Sequence, residues 1–508
     1  MSIERQDPAI HREAACGHCV HGGDAASPAP TSIRTRREFL AHSAFGIGSL
    51  ALAHLLNQEG LLAETVSKPG ENLPLDLRQR APQFAPRANA MISLFMHGGP
   101  SHVDLLDPKP ELSRLSGTDY GGDVTFSFVN RASKKLFGTP FQFAKHGQCG
   151  TEVSELLPEI ASIVDDIALL RSMHTGHNGH EVSIRYFHGG LAGVTGRPTL
   201  GSWITYALGN ESQNLPAYMV LADPEGHPVD GTHNWSSGFM PPLYQGTVLR
   251  AQEPRIFNLD APPRLKGALQ QQNLAFLERL NARHLQRHPG ESDLEARIRS
   301  YELAAAMQTA AKDALDLSQD PEHIHKLYGL DQDATREYGQ RCLLARRLVE
   351  RGVRFVQLFL GGQPWDSHSS IKSSLPGICK RTDRPAAALV KDLKQRGMLD
   401  STIVHWGGEI GRLPVCEGEL TDAAGRDHNG QGFSIWLAGG GFKGGITYGE
   451  TDEVGHKAAV NVLTPNDYQA TILHLLGLDH SKLVYHNSVR EQRLTDGRPS
   501  RVVQEILA

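Results

Sequence analysis

The sequence predicts an α/β fold organised on an open, mixed and mostly parallel sheet, and three observations lead there. Short apolar runs containing β-branched and aromatic residues recur without polar alternation, the pattern of strands buried on both faces. Segments of helical period lie between several of them, and parallel neighbours need such crossovers. Four of the runs end in glycine-containing turns that carry histidines or carboxylates. In open α/β sheets ligands bind in the loops beyond the carboxyl ends of the strands.

The first strand is read at 92–96, within MISLFMHGGPSHVDLLDP, and His97, His102, Asp104 and Asp107 follow it directly. A second, 167–170, leads into RSMHTGHNGHEVSIRYFHGG, which places His174, Thr175, His177, His180 and Glu181 at the opening of a helix. A helix start there aims backbone N–H groups at an anion. Tyr218–Leu221 reads as a third strand, and 230–246 as a Gly/Trp/Pro loop without period. From 263 to 317 the apolar residues fall at helical spacing (Leu265, Leu269, Phe276, Leu277 and Leu280, then Leu294, Ile298, Tyr301 and Met307), which predicts a helical insertion over about 263–318. A helix near 336–351 precedes the strand 354–360, whose exit GGQPWDSH carries Asp366 and His368. The strand 400–406 leads into GGEIGR with Glu409 and Arg412. No helical pattern follows over 413–427, so the next strand, Phe433–Ala438, should run antiparallel and keep His428 on the same sheet edge. A helix at 467–476 closes the domain.

At 508 residues the chain can hold one large α/β domain, expected over 64–508 after a Pro-rich linker at 67–87. Residues 1–63 read as a leader. Arg36 and Arg37 form a twin-arginine pattern, and the uncharged apolar segment 41–56 is shorter than the ~20 residues that span a bilayer. That predicts passage through the twin-arginine (Tat) export machinery, a periplasmic or extracellular location and no transmembrane anchor. A net charge of -5 gives no basic surplus that would point to nucleic acid or anionic lipid. Cys16 and Cys19 stand ahead of the signal with no second pair to complete a zinc site, and the other four cysteines leave room for one bridge.

Histidine is over-represented, with 25 in clusters beside carboxylates. Four loops bring His97, Asp104, His180, Asp366, His368, Glu409 and His428 towards one edge. Imidazole and carboxylate without thiolate form the donor set of a catalytic divalent ion. Zinc suits it, with manganese, calcium or iron also open, as one ion or two. Arg171, Arg412 and Arg426 are candidates for binding an anionic substrate. GGGFKGG at 439–445 lacks the helix of a dinucleotide site, and no H-E-x-x-H, G-x-S-x-G or Walker loop is present.

The run FMHGGPSHVDLLDPKP, VSELLPEIA, RSMHT with NGHE, GRPTLGSWITYALG, WSSGFMPPLYQGT, WDSH, HWGGEIGRLP, GRDHNGQGFSIWLAGGG and ATILHLLGLDH resembles the exported domain-of-unknown-function family 1501. That family is described as sulfatase-like and grouped with the alkaline phosphatase superfamily. The resemblance implies an α/β/α sandwich with a two-metal site at the strand ends. It places Asp366, His368 and His428 on one ion, and Glu409 with a residue of the 97–104 loop on the other. The superfamily usually has Asp-His where this chain has Glu409-Ile410, which brings His180 forward as a replacement ligand. Its nucleophilic Ser or Thr opens the helix where His180-Glu181 stand here, leaving Thr175 and Ser183 as offset candidates. No cysteine has the C-x-P-x-R context of formylglycine sulfatases. The function so implied is an exported metal-dependent hydrolase of phosphate or sulfate esters, acting on a small-molecule or polysaccharide ester. The alternative is a non-catalytic metal- and anionic-glycan-binding protein of the cell envelope with the same fold.

Overall fold

Alternate side chains of the first strand, β1 (Ala90–Phe95), enter two different cores. Ile92 and Leu94 belong to one apolar cluster, Met91 and Phe95 to the other, and all four are fully buried. That two-sided burial marks a central strand, and it explains why no polar residue alternates except Ser93. In the computed structural model, residues 72–508 are described apart from 128–130, 261, 262, 266, 488 and 489. The leader expected over 1–63, with its twin-arginine pattern and the pair Cys16 and Cys19, lies outside them.

The main sheet adds β2 (Ile167–Met173), β3 (Tyr218–Leu221), β4 (Thr247–Leu249), β5 (Phe355–Phe359), β6 (Thr402–Gly407), β7 (Phe433–Ala438) and β8 (Ile446–Tyr448). Their spatial order is β8-β2-β7-β6-β1-β5-β3-β4. β1 lies parallel between β5 and β6, with Leu94 opposite both Leu358 and Trp406. β7 alone is reversed and pairs antiparallel with β2 and β6. Its reversal follows from the coil of 413–427, as the sequence predicts, and sets the start of β7 beside the end of β2, with Phe433 opposite Met173.

Helices cover both faces. On one lie α1 (His180–Gly189) and α2 (Leu200–Leu208), joined near the C-terminus by the last long helix of the chain, Pro465–Leu475. Their Ile184, Phe187, Trp203 and Ile472 pack on the Met91 side of the sheet. Between β4 and β5 stands a helical pair, α3 (Ala268–Arg287) and α4 (Ser292–Leu315). The other face carries α5 (Asp333–Glu350) and α6 (Ile371–Gln395), whose Leu344, Leu348, Leu389 and Leu393 pack on the Ile92 side. The helix Pro465–Leu475 is α7, held at its start by a capping box between Thr464 and Asp467. The result is an α/β/α sandwich on a mixed, mostly parallel sheet.

Three elements depart from the sequence reading. β4 and β8 are three residues each, too short to show a period. α6 spans 25 residues although Pro376 and Pro385 lie inside it. Proline removes a backbone donor and normally ends a helix, so burial of this face outweighs two strong stop signals. Cys149, Cys342, Cys379 and Cys416 are all free thiols, so the bridge the composition allowed is absent among the described residues.

Candidate metal centre

The exit of β1 meets the exits of β5 and β6 at a glycine pair. Gly98 has φ +108°, and a Cβ there would stand 2.8 Å from the Asp366 amide nitrogen. Gly99 has φ +83°, and its Cβ would stand 2.7 Å from the Ile410 carbonyl oxygen. Both conformation and space therefore require glycine. The close turn lets the Gly98 N–H donate to Glu409 Oε1 at 3.1 Å.

Around that turn three imidazoles converge on one carboxylate. His368 Nε2 lies 2.9 Å and His428 Nε2 3.0 Å from Asp366 Oδ1, and His180 Nε2 lies 3.4 Å from Asp366 Oδ2. The opposite nitrogen of each ring is held from behind. His180 Nδ1 meets Glu409 Oε1 at 2.6 Å, His368 Nδ1 bonds Glu417 Oε2, and His428 Nδ1 lies 3.0 Å from Ser127 Oγ. An outer carboxylate or hydroxyl on Nδ1 fixes the ring and tautomer so that Nε2 faces inward, the arrangement found behind metal-binding histidines. His180, Asp366 and His428 offer donor atoms all within 4.8 Å of one another, and so do His368, Asp427 and His428.

The donor chemistry fits a divalent ion. His368 Nε2 and His428 Nε2 are 2.9 Å apart, and a proton can serve only one of two facing lone pairs. Donors on a tetrahedral zinc stand roughly 3.3 Å apart, given Zn–N bonds of about 2.0–2.1 Å. The inner edges of this cluster are therefore close to coordination spacing. Imidazole and carboxylate without sulfur suit zinc, manganese or iron.

Electrostatics show the same convergence. Burial opposes the charge of Asp366, yet hydrogen bonds from His180, His368 and His428, with the Arg412 guanidinium, hold its carboxyl far below the ordinary range. Burial also disfavours the His180 imidazolium, but bonds to Asp366 and Glu409 raise it to about 9. His368 is burial-penalised and raised in the same way by Asp366 and Glu417. His428 is lowered, first by burial, with the nearby Arg412 charge adding to it. Glu409 is penalised by burial and pulled below its usual value by His180.

A family model described as "Protein of unknown function (DUF1501)" matches residues 88–507. The chain belongs to the DUF1501 family. None of the curated proteins matches it. Among solved structures this DUF1501 member is similar to the phosphonate monoester hydrolase SpPMH from Silicibacter pomeroyi, at 12% identity over 63% of this chain and 68% of that one, with TM-score 0.30. It is also similar to the PsFucS1 sulfatase from Pseudoalteromonas sp., at 11% identity over 85% and 71%, with TM-score 0.33. A third is the alkaline phosphatase from the Antarctic bacterium TAB5, at 10% identity over 77% and 99%, with TM-score 0.30.

Of the residues expected at the site of this DUF1501 chain, Asp366, His368, His428, His180, Glu409 and Arg412 come together. Glu409 stands behind His180 rather than among the inward-facing donors. Arg412 is fully buried, with Nε on the Gly99 carbonyl at 3.0 Å and a terminal nitrogen on Asp366. It braces the cluster instead of facing open space. His97 stands beside the site, its Nε2 accepting the Val229 N–H at 3.3 Å and its ring centroid 6.2 Å from that of His180. Burial lowers its pKa.

Others fall elsewhere. Asp104 is not placed as a ligand: it forms a fully buried ion pair with Arg426, Nε to Oδ2 at 2.7 Å and Nη2 to Oδ1 at 3.1 Å. That pair also removes Arg426 from the anion-binding candidates. Arg171 bonds the Leu106 carbonyl at 2.7 Å and lies 3.6 Å from Asp107. Thr175 and Ser183 hydroxyls both donate to the His177 carbonyl, at 3.1 and 2.8 Å, and pin the turn before α1. The first helical position is His180 itself.

Glu417, Asp427 and Ser127 were not expected. Asp427 accepts the Ser127 N–H at 2.7 Å and the His428 N–H at 2.7 Å. Glu417 lies in the patternless 413–427 segment and reaches His368 because Glu417 bridges Gly425 and Ser369 bridges Ala424. The only sequence signal for it is an acid in a long coil between two site residues.

Proposed function

We propose that this DUF1501 chain is an exported metal-dependent hydrolase of phosphate or sulfate esters. The observation that carries the reading is the convergence of three Nε2 atoms on Asp366 while every Nδ1 is held from behind. His180, Asp366, His368 and His428 would hold the ion, with zinc best suited to the donors. Once bound, a divalent ion there polarises an ester oxygen and acidifies water. Glu409, Glu417 and Ser127 keep the imidazoles aimed, and Arg412 screens the charge of Asp366 from within. Because Thr175 and Ser183 are engaged with the His177 carbonyl, the reading takes water as the attacking group.

Substrate class remains a phosphate or sulfate ester of a small molecule or polysaccharide. Export rests on the twin-arginine pattern. No helix among the described residues is long and apolar enough to cross a membrane. A second reading, a non-catalytic metal- and anionic-glycan-binding envelope protein, is favoured by the engaged hydroxyls and by guanidinium groups already paired inside the protein.

The test is elemental analysis of the purified chain, joined to turnover of aryl phosphate, phosphodiester and sulfate esters. Bound zinc, turnover of at least one ester class and loss of both in Asp366→Asn are expected. A protein that takes up no divalent ion at micromolar concentration refutes both readings, and stable metal without turnover selects the second.

A further inference from the structure

α3 is a 20-residue helix with no buried residue, a poor bargain for a helix carrying nine leucine, phenylalanine and alanine side chains. Its inner side rests on α4, with Gln270 Nε2 on Gln308 Oε1 at 3.4 Å, while α4 is anchored through buried Ile298, Met307 and Ala311. The outer side is left bare. Leu269, Phe276, Leu277 and Leu280 are 47, 53, 50 and 43% exposed. At 100° per residue, Leu269, Phe276 and Leu280 fall within about 20° of one line along the helix, with Leu277 about 80° to one side. They form a stripe on the first three turns.

The same arc changes character towards the helix end. Arg283 and Arg287 lie within about 40° of the line and Arg279 about 80° from it, all exposed. The helix has one carboxylate, Glu278, and it projects about 180° away from the line. Glu291, in the turn to α4, faces His288 at 3.5 Å. The outward face is thus apolar for one half and cationic for the other, without an anion on it.

We infer that α3 is a lipid-surface element whose outward face seats on an anionic bilayer. An amphipathic helix with a bare apolar stripe and arginines on the same side matches the acyl boundary and the phosphate layer together. A second copy of the chain fits less well. Antiparallel pairing would set Arg283 and Arg287 against the positive end of the partner helix, and parallel pairing would set arginine against arginine. Four apolar side chains, each about half exposed, also fall short of the roughly 20–30 residues a side of a stable interface. The chain as a whole is acidic, with net charge -5, so the attraction is local to this helix and salt-sensitive.

Vesicle flotation of the full chain tests this, using pure phosphatidylcholine and phosphatidylcholine with about one third phosphatidylglycerol at low and high salt. Binding is expected only to the anionic vesicles and should fall at high salt. Arg283→Gln with Arg287→Gln should weaken it about 30-fold, from the attraction per basic residue near such a surface. Phe276→Ser with Leu280→Ser should abolish it. All four positions are exposed, and an unchanged melting temperature confirms that each variant folds. No binding to anionic vesicles, equal binding to neutral ones, or wild-type binding by both variants overturns the inference. So does a vesicle-free dimer of the wild type that Phe276→Ser dissolves, which would make a second copy the occupant.

Discussion

Metal affinity and the stability of the metal-free protein should move in opposite directions as pH rises. In the metal-free protein His180 holds its proton to about pH 9 because Asp366 and Glu409 outweigh the burial of the ring. The rise from 6.5 to about 9 corresponds to roughly 3 kcal/mol, at 1.36 kcal/mol per decade of acidity. A raised folded pKa gives stability that is complete below the unfolded value, near 6.5, and lost as pH climbs towards 9. The metal-free melting temperature should therefore fall across that window. Metal binding needs the neutral ring, so at pH 7 the His180 proton alone opposes it by a factor of about 100, and apparent affinity should gain at least about tenfold from pH 7 to pH 8. Calorimetric titration with zinc at pH 7 in two buffers of different ionisation enthalpy counts the released protons, and about one to two per chain are expected, from His180 and from His368, whose imidazolium is also favoured. Affinity that is flat from pH 7 to 8.5, with no proton released, refutes the assignment of His180 as both a protonated partner of Asp366 and a metal donor.

Three further outcomes follow from the geometry. Glu417→Ala should lower zinc affinity by about 10–100-fold, measured against a chromogenic chelator, with Glu417→Gln retaining more because it can still accept from His368 Nδ1. Arg426→Leu leaves Asp104 buried and unpaired, so the melting curve should show a loss of about 3–5 kcal/mol while zinc affinity of the folded fraction stays unchanged. Thr175→Ala and Ser183→Ala should each reduce turnover less than about tenfold, whereas a nucleophile would lose on the order of 10³ or more.

Much of this molecule is legible in the sequence where one physical rule acts alone. Uninterrupted apolar runs gave β1, β2, β5 and β6 because burial on both faces excludes polar residues. The reversal of β7 was legible because the coil before it cannot serve as a crossover. Legibility failed where two forces compete. α6 was unreadable through Pro376 and Pro385, since local propensity there opposes a buried face and loses to it. At the site, residue type showed which side chains suit a metal but not which way each one points. Asp104 and Asp366 are chemically equal in sequence, yet one is committed to Arg426 and the other collects three imidazoles. Glu409 was readable as a candidate, but its place behind His180 depends on the Gly98 turn, which no residue pattern spells out.

The lap of chain between Arg412 and His428 has both feet fixed, because those two residues pair with each other. The inward-facing donors are rooted at strand exits and a helix start, whereas Glu417 rides on the lap itself. Changes confined to this lap would therefore alter how His368 is held while leaving the rigid scaffold untouched, and under the proposed metal reading they would show up in ion preference before they showed up in folding.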